Sequence, residues 1–268
     1  MALSKSSNGK SPSALLGNGK NKNVPPVDIG KVLHTVQNLT LPVIMAVLVN
    51  YSLVPFAFML VLLGKWRVFA VQPRHWIANI RTNTPDLIVG LSFLTFMVQS
   101  TASNGLILAA LGYAIWLLAI KPRSSLGMVS IQAMATQLLG LEALFWFADD
   151  ISETLLVIAV WIISLTSARH FLSSFEEPLA RVVSLIWSLF VTQLAWLLNR
   201  WLIVYTLYRN IVVPQIVLVV GTVGFVAASL YYLHKEDRLR QNDARRYLIY
   251  GGAILFLIVA FSDWSAEL

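Results

Sequence analysis

Few side chains in this sequence can do chemistry, and most of them stand at the edges of long apolar runs. Glu176 and Glu177 are adjacent, just before Pro178 and shortly before Arg181. Paired carboxylates can activate water or share a proton. Glu142 and Arg200 fall inside runs that are otherwise apolar. A charge buried in hydrocarbon is costly and marks either a functional site or an ion pair. Lys65, Arg67, Arg74 and Arg81 are interleaved with Trp66, Phe69, Trp76, Ile77 and Ile80, and Lys121 and Arg123 occupy another short link. Such segments lie at the bilayer interface with cations on phosphates, so these six residues are candidate lipid head-group contacts. Arg169 and His170 sit in a comparable link and could join them.

The order Glu176-Glu177-x-x-x-Arg181 resembles the first motif of the CAAX-processing and bacteriocin-immunity family of membrane proteases. The resemblance covers the seven residues "FEEPLAR". It implies glutamates that activate water and histidines on later helices that complete the site. Here only His234 follows, at a loop edge, with leucine rather than an aromatic residue four positions before it. A charged elbow accounts for the same residues. Pro178 suits the first position of a helix and Glu177 its cap. Both acids meet the positive end of the helix dipole, and Glu177 and Arg181 are an i,i+4 pair in the favourable order. No catalytic residue is assigned.

The absence of cysteine excludes disulfides, thiolate metal sites and thiol catalysis. The chain has no phosphate-binding glycine loop, no HExxH, no GxSxG and no paired histidine cluster. No lysine lies in a late apolar run, as a retinal Schiff base would require. No metal and no cofactor are expected.

The elements that must position these residues are helices. The 268 residues are 57% hydrophobic and 12% charged, against about a quarter charged in soluble domains. Apolar runs long enough to cross about 30 Å of hydrocarbon recur along the chain, and they are continuous rather than alternating, which excludes a barrel. The fold class is all-α: a polytopic helical membrane protein with about eight spans, at 41–63, 86–101, 105–120, 126–147, 154–168, 178–207, 211–233 and 247–263. Thr84-Pro85-Asp86 reads as the start of the second span. Residues 1–30 are too polar to bury a core and read as a disordered tail, with the transmembrane domain over 31–268. Residues 29–40 are mildly amphipathic and read as a surface segment. Gly224-x-x-x-Ala228 and Gly251-Gly252 allow neighbouring helices to approach closely.

Loop charge sets orientation. Links 64–85, 121–125 and 169–177, with Arg181, and 234–246 hold 13 basic residues, and the opposite links hold only Arg200 and Arg209. The basic side should be the cytoplasm, which puts loop 234–246 inside and the carboxyl terminus outside. The first span raises a conflict, because a single crossing puts the lysine-bearing tail outside. A re-entrant hairpin bent at Asn50-Tyr51-Ser52 is the alternative; Pro42, Asn50 and Pro55 fit a broken helix. The net charge of +7 is explained by this arrangement and does not point to nucleic acid. The expected partners are the bilayer, anionic lipids at the cytoplasmic face and other membrane proteins. The expected location is the plasma (inner) membrane of a prokaryote.

Three function classes fit. A scaffold or assembly subunit of a membrane complex agrees best with the small loops and few intramembrane polar groups. A small-solute or proton-linked transporter would use Glu142. An enzyme acting on lipid-linked substrates at the cytoplasmic face would use the basic links. Glu142 and Arg200 sit at matched depth if the sixth span runs to Leu207, so a structural ion pair between them is expected.

Overall fold

The computed structural model describes residues 29–66, 72–100, 103–201, 203–208 and 211–262. Nine helices occur among them: α1 (Ile29–Asn50), α2 (Val54–Leu63), α3 (Trp76–Gln99), α4 (Ser103–Ile115), α5 (Leu126–Phe145), α6 (Glu153–Ser173), α7 (Ala180–Leu198), α8 (Gln215–Lys235) and α9 (Gln241–Ala260). A π-helical turn, Trp116–Ile120, prolongs α4. Among the described residues, five helices are long and apolar enough to cross a membrane: Ser103–Ile120, α5, α6, α7 and α8. The eight expected spans are therefore met in part. Most of the tail expected over 1–30, and Arg67, lie outside the described residues.

The first apolar run is not one helix. Helix α1 already includes residues 29–40, so these are no separate surface segment. It ends at Asn50, and Ser52 takes φ 60° while Leu53 N–H reaches back to the Leu48 carbonyl. That pattern closes a helix end and reverses the chain. Helix α2 then runs back along α1: a Cβ built on Gly64 would lie 4.0 Å from Leu41 Cδ2. The run 41–63 is thus an antiparallel hairpin.

Helix α3 starts at Trp76, well before the expected cap at Thr84. Pro85 lies inside it and cannot donate to the Arg81 carbonyl. Three polar side chains before the proline bond back to the preceding turn: Thr82 to Ala78 O at 2.9 Å, Asn83 to Asn79 O at 2.9 Å and Thr84 to Ile80 O at 2.7 Å. The cap-like residues are bonded within the helix instead of starting it.

The run 178–207 is also divided. Helix α7 ends at Leu198, and Val204–Tyr208 pairs antiparallel with Ile211–Pro214, with Tyr205 opposite Val213. Alternating β-branched and aromatic residues around 209–210 carry a hairpin signal hidden by the continuous hydropathy. This hairpin docks on the end of α9. Tyr205 Oη donates to Ile258 O at 2.6 Å, and Gln215 Nε2 donates to Ser262 Oγ at 2.6 Å.

Two cores hold the bundle. One joins α1–α4 through Met45, Val61, Val89, Met97, Tyr113 and Trp116. The other joins α5–α8 through Leu141, Phe145, Val160, Val191, Ala195 and Ile216. Helices α6 and α7 pack most extensively. The buried stripe of α7 is Ser184, Ser188, Val191 and Ala195, and such small residues let backbones approach closely. The Ser184 and Ser188 hydroxyls are satisfied on the Arg181 and Leu185 carbonyls, at 3.0 and 2.9 Å.

Candidate functional site

The strongest electrostatic feature of the bundle surrounds Asp86 on α3. This residue is 6% exposed, and its carboxylate meets Lys65, just past α2, and Lys121, just past the π turn, the latter at 2.6 Å. Trp116 Nε1 donates to its other oxygen at 2.9 Å. One acid inside α3 thus ties together the carboxyl-terminal ends of α2 and of the α4 segment. Lys65 and Lys121 were expected to face lipid head groups; instead both ammonium groups turn inward to Asp86. The sequence signal was the acid itself, read as a helix-start residue when the helix in fact begins ten residues earlier.

The other expected head-group contacts separate. Arg74 Nε donates to His75 Nε2 at 2.9 Å. The Arg123 carbonyl accepts from Gln132 Nε2 at 2.8 Å, and its side chain is exposed. Arg81 lies among cations, with Arg169 of α6 and Arg181 of α7 as the charges that act on it. Gln132 also bonds the Ile120 carbonyl at 2.8 Å and His170 at 3.0 Å, so this buried amide closes the end of the α4 segment.

Glu142 and Arg200 are not brought together. Arg200 lies beyond the end of α7 and meets Glu153, at the start of α6, at 3.1 Å. Its guanidinium stacks 5.2 Å from the Trp196 ring centre. Glu142 is half-buried on α5, one turn before Trp146. The matched depths depended on a helix continuing to Leu207, and the chain leaves that helix at Leu198.

At the elbow, Glu176 is exposed with φ 52°, and Glu177 N–H reaches back to Leu172 O, closing α6. The Glu177 carboxylate accepts from Lys235 Nζ at 2.6 Å and from Tyr231 Oη at 2.5 Å, both on α8. The ammonium first, then the phenol, hold this carboxyl below its ordinary range. The expected Glu177–Arg181 pair is replaced by this bridge, and α7 starts at Ala180 with Leu179 as its cap. Around the bridge Phe171, Phe175 and Tyr231 pack with ring centres 5.1–5.7 Å apart.

The bridge stands at the end of a cleft of about 560 Å³ between α5, α6, α7 and α8. The second core fills the half of these four helices nearer the β-hairpin. The cleft occupies the other half, from Gln137 and Val220 to Gly127 and Tyr232. Its wall includes Met134 on α5, Ala168 on α6, Trp187 on α7 and Gly224 and Ala228 on α8. Gly224 and Trp187 are in ordinary contact, since a Cβ there would lie 3.5 Å from the indole. Ile131, Val183 and Phe225 line the cleft and are exposed, so it is open on the bundle surface. The buried polar group at its inner end is satisfied: Gln137 Nε2 donates to Ser164 Oγ at 3.0 Å and its carbonyl accepts from Trp187 Nε1 at 3.5 Å. An apolar wall with aromatic hydroxyls and an ion pair at one end can hold an apolar chain. Comparison with family models, curated proteins and solved structures finds no match to the chain.

Proposed function

We propose that the protein is a non-catalytic membrane subunit, a scaffold or assembly component, that holds the apolar chain of a lipid in the α5–α8 cleft. The observation that supports this reading is the uneven packing of these four helices: filled by core at one end, open and apolar at the other. The volume is within the range of about 300–1,000 Å³ for sites that enclose a small molecule. The cleft ends at the basic side, beside Tyr232 and the Glu177–Lys235–Tyr231 bridge, whose polar groups suit a lipid head. The enzyme reading loses support, because Lys65 and Lys121 are committed to Asp86 and Glu177 to Lys235. The transport reading keeps one supporting observation, a half-buried Glu142 with no cation partner among the described residues. Glu142 lies five residues, about 7.5 Å, beyond Gln137 on the side closed by the second core.

The proposed topology has α3–α9 as seven crossings and α1–α2 as a half-depth hairpin. Helix α2 has ten residues, about 15 Å of rise, half of the roughly 30 Å of hydrocarbon. The amino terminus then lies with the basic links in the cytoplasm of a prokaryotic plasma membrane, and the charge conflict of a single first crossing disappears.

The test is lipid retention. Native mass spectrometry of the detergent-purified full chain should detect a lipid that survives washing. Ala228→Trp, which fills the cleft, should lose that lipid while melting at the same temperature or higher. Unchanged retention in a folded Ala228→Trp variant would remove the cleft as the binding site.

A further inference from the structure

Three arginines from three helices lie at the basic end of the bundle. Ile88 of α3 and Ile163 of α6 converge on Gly140, where an added Cβ would come within 2.8 and 3.0 Å of them. Helices α3 and α6 run in opposite directions from that point toward the basic side. Seven residues along α3 lead to Arg81 and six along α6 lead to Arg169, rises of about 10.5 and 9 Å. The two arginines therefore lie at one level. Helix α7 starts there too, with Arg181 in its first turn. The charges acting on Arg81 are those of Arg169 and Arg181.

No carboxylate lies within ion-pair distance of these arginines among the described residues, the exposed Glu176 of the α6–α7 link included. Asp86 is taken by two lysines, Glu177 by Lys235, and Arg81, Arg169 and Arg181 are in no ion pair. The Arg169 Nε is buried and makes no hydrogen bond among the described residues. A buried donor without a partner, beside two like charges, is costly unless an anion completes it. Guanidinium forks match phosphate oxygens in pairs, better than any other side chain. Arg81 and Arg181 are exposed, so an anion can reach them. Arg169 is not in the cleft wall, which makes this a second location, independent of the cleft.

We propose that Arg81, Arg169 and Arg181 form a phosphate site at the inner membrane boundary, its ligand the phosphodiester head of an anionic lipid or a free phosphate ion. The test uses the detergent-purified full chain, with phosphatidylglycerol, phosphatidylcholine or inorganic phosphate added separately. Phosphatidylglycerol should bind more tightly than phosphatidylcholine and raise the melting temperature. The double variant Arg169→Gln/Arg181→Gln should lose roughly a hundredfold in that affinity, about tenfold for each charged hydrogen-bonding group removed. The unliganded double variant should melt no lower than the parent, because a repulsion has been removed. Arg245→Gln/Arg246→Gln, an equal loss of charge on the same side, should retain the affinity. Inorganic phosphate that reproduces the melting shift without lipid assigns the site to the free ion; phosphatidylglycerol acting alone assigns it to lipid. The proposal is overturned if neither anion shifts the parent, if the Arg245/Arg246 control loses as much affinity, or if the unliganded double variant is destabilised.

Discussion

Ser52, Glu176 and Asp237 all adopt positive φ, at 60°, 52° and 52°, and each closes a helix where glycine is the usual residue. The left-handed conformation costs a residue with a Cβ about 1 kcal/mol or more. Glu176→Gly should therefore raise stability by roughly 1 kcal/mol, read from denaturant unfolding in detergent. If Glu176 were part of a water-activating pair, the same change would abolish an activity instead. Its neighbour Glu177 was expected to cap the next helix, a place that Leu179 takes, and its partner on α8 was not legible, because spacing along the sequence reveals only local pairs. The sign of its pH dependence follows from its depressed pKa. The bridge to Lys235 contributes fully above the ordinary carboxyl pKa of about 4.3 and is lost as pH falls through the lower, folded value. Hydrogen exchange at 174–179 should accelerate on such acidification, and Glu177→Gln should exchange fast already at neutral pH. Exchange indifferent to both changes would mean that the bridge does not hold the elbow.

Among the elements, long apolar helices such as α5 were readable from hydropathy, because a membrane helix must satisfy its backbone internally. The breaks were harder to see. Pro85 looked like a helix start, yet Thr82, Asn83 and Thr84 bond back along α3 and carry the helix through it. The β-hairpin at 204–214 was concealed for the opposite reason, since its residues are as apolar as a span. That misreading also produced the expected Glu142–Arg200 pair. Glu142→Gln and Arg200→Gln should show no coupling in a double-mutant cycle, adding within about 0.5 kcal/mol. The Asp86 junction sets the positions of α2, α3 and α4 and should be the most sensitive polar point in the bundle. Asp86→Asn leaves two ammonium groups facing each other and should cost about 3–5 kcal/mol in unfolding experiments. Adding Lys121→Met should recover part of that loss. A neutral effect of Asp86→Asn would show that the two lysines find other partners.

At the scale of the whole molecule, the charge distribution indicated a basic side of the bundle, and the antiparallel α1–α2 hairpin supports the re-entrant reading of the first apolar run. Tags placed before Ser11 and within 238–243 should report the same side, and a tag after Leu268 the opposite one. Opposite sides for the first two would restore a single crossing at 41–63. The cleft was not legible in the sequence. Gly224-x-x-x-Ala228 was read as a packing motif, and Gly251 does pack tightly, since a Cβ there would lie 2.5 Å from Val226. Gly224 and Ala228 instead line a space, because whether small residues meet a helix or leave a gap depends on how four helices diverge. The central claim, that this space holds a lipid chain, is tested most directly by a lipid with a photoreactive group in its acyl chain. Irradiation of the full chain in bilayers should give adducts at Met134, Trp187 and Ala228, lost in Ala228→Trp. Adducts spread over outward residues such as Leu189 and Phe256, with the cleft unlabelled, would contradict the account.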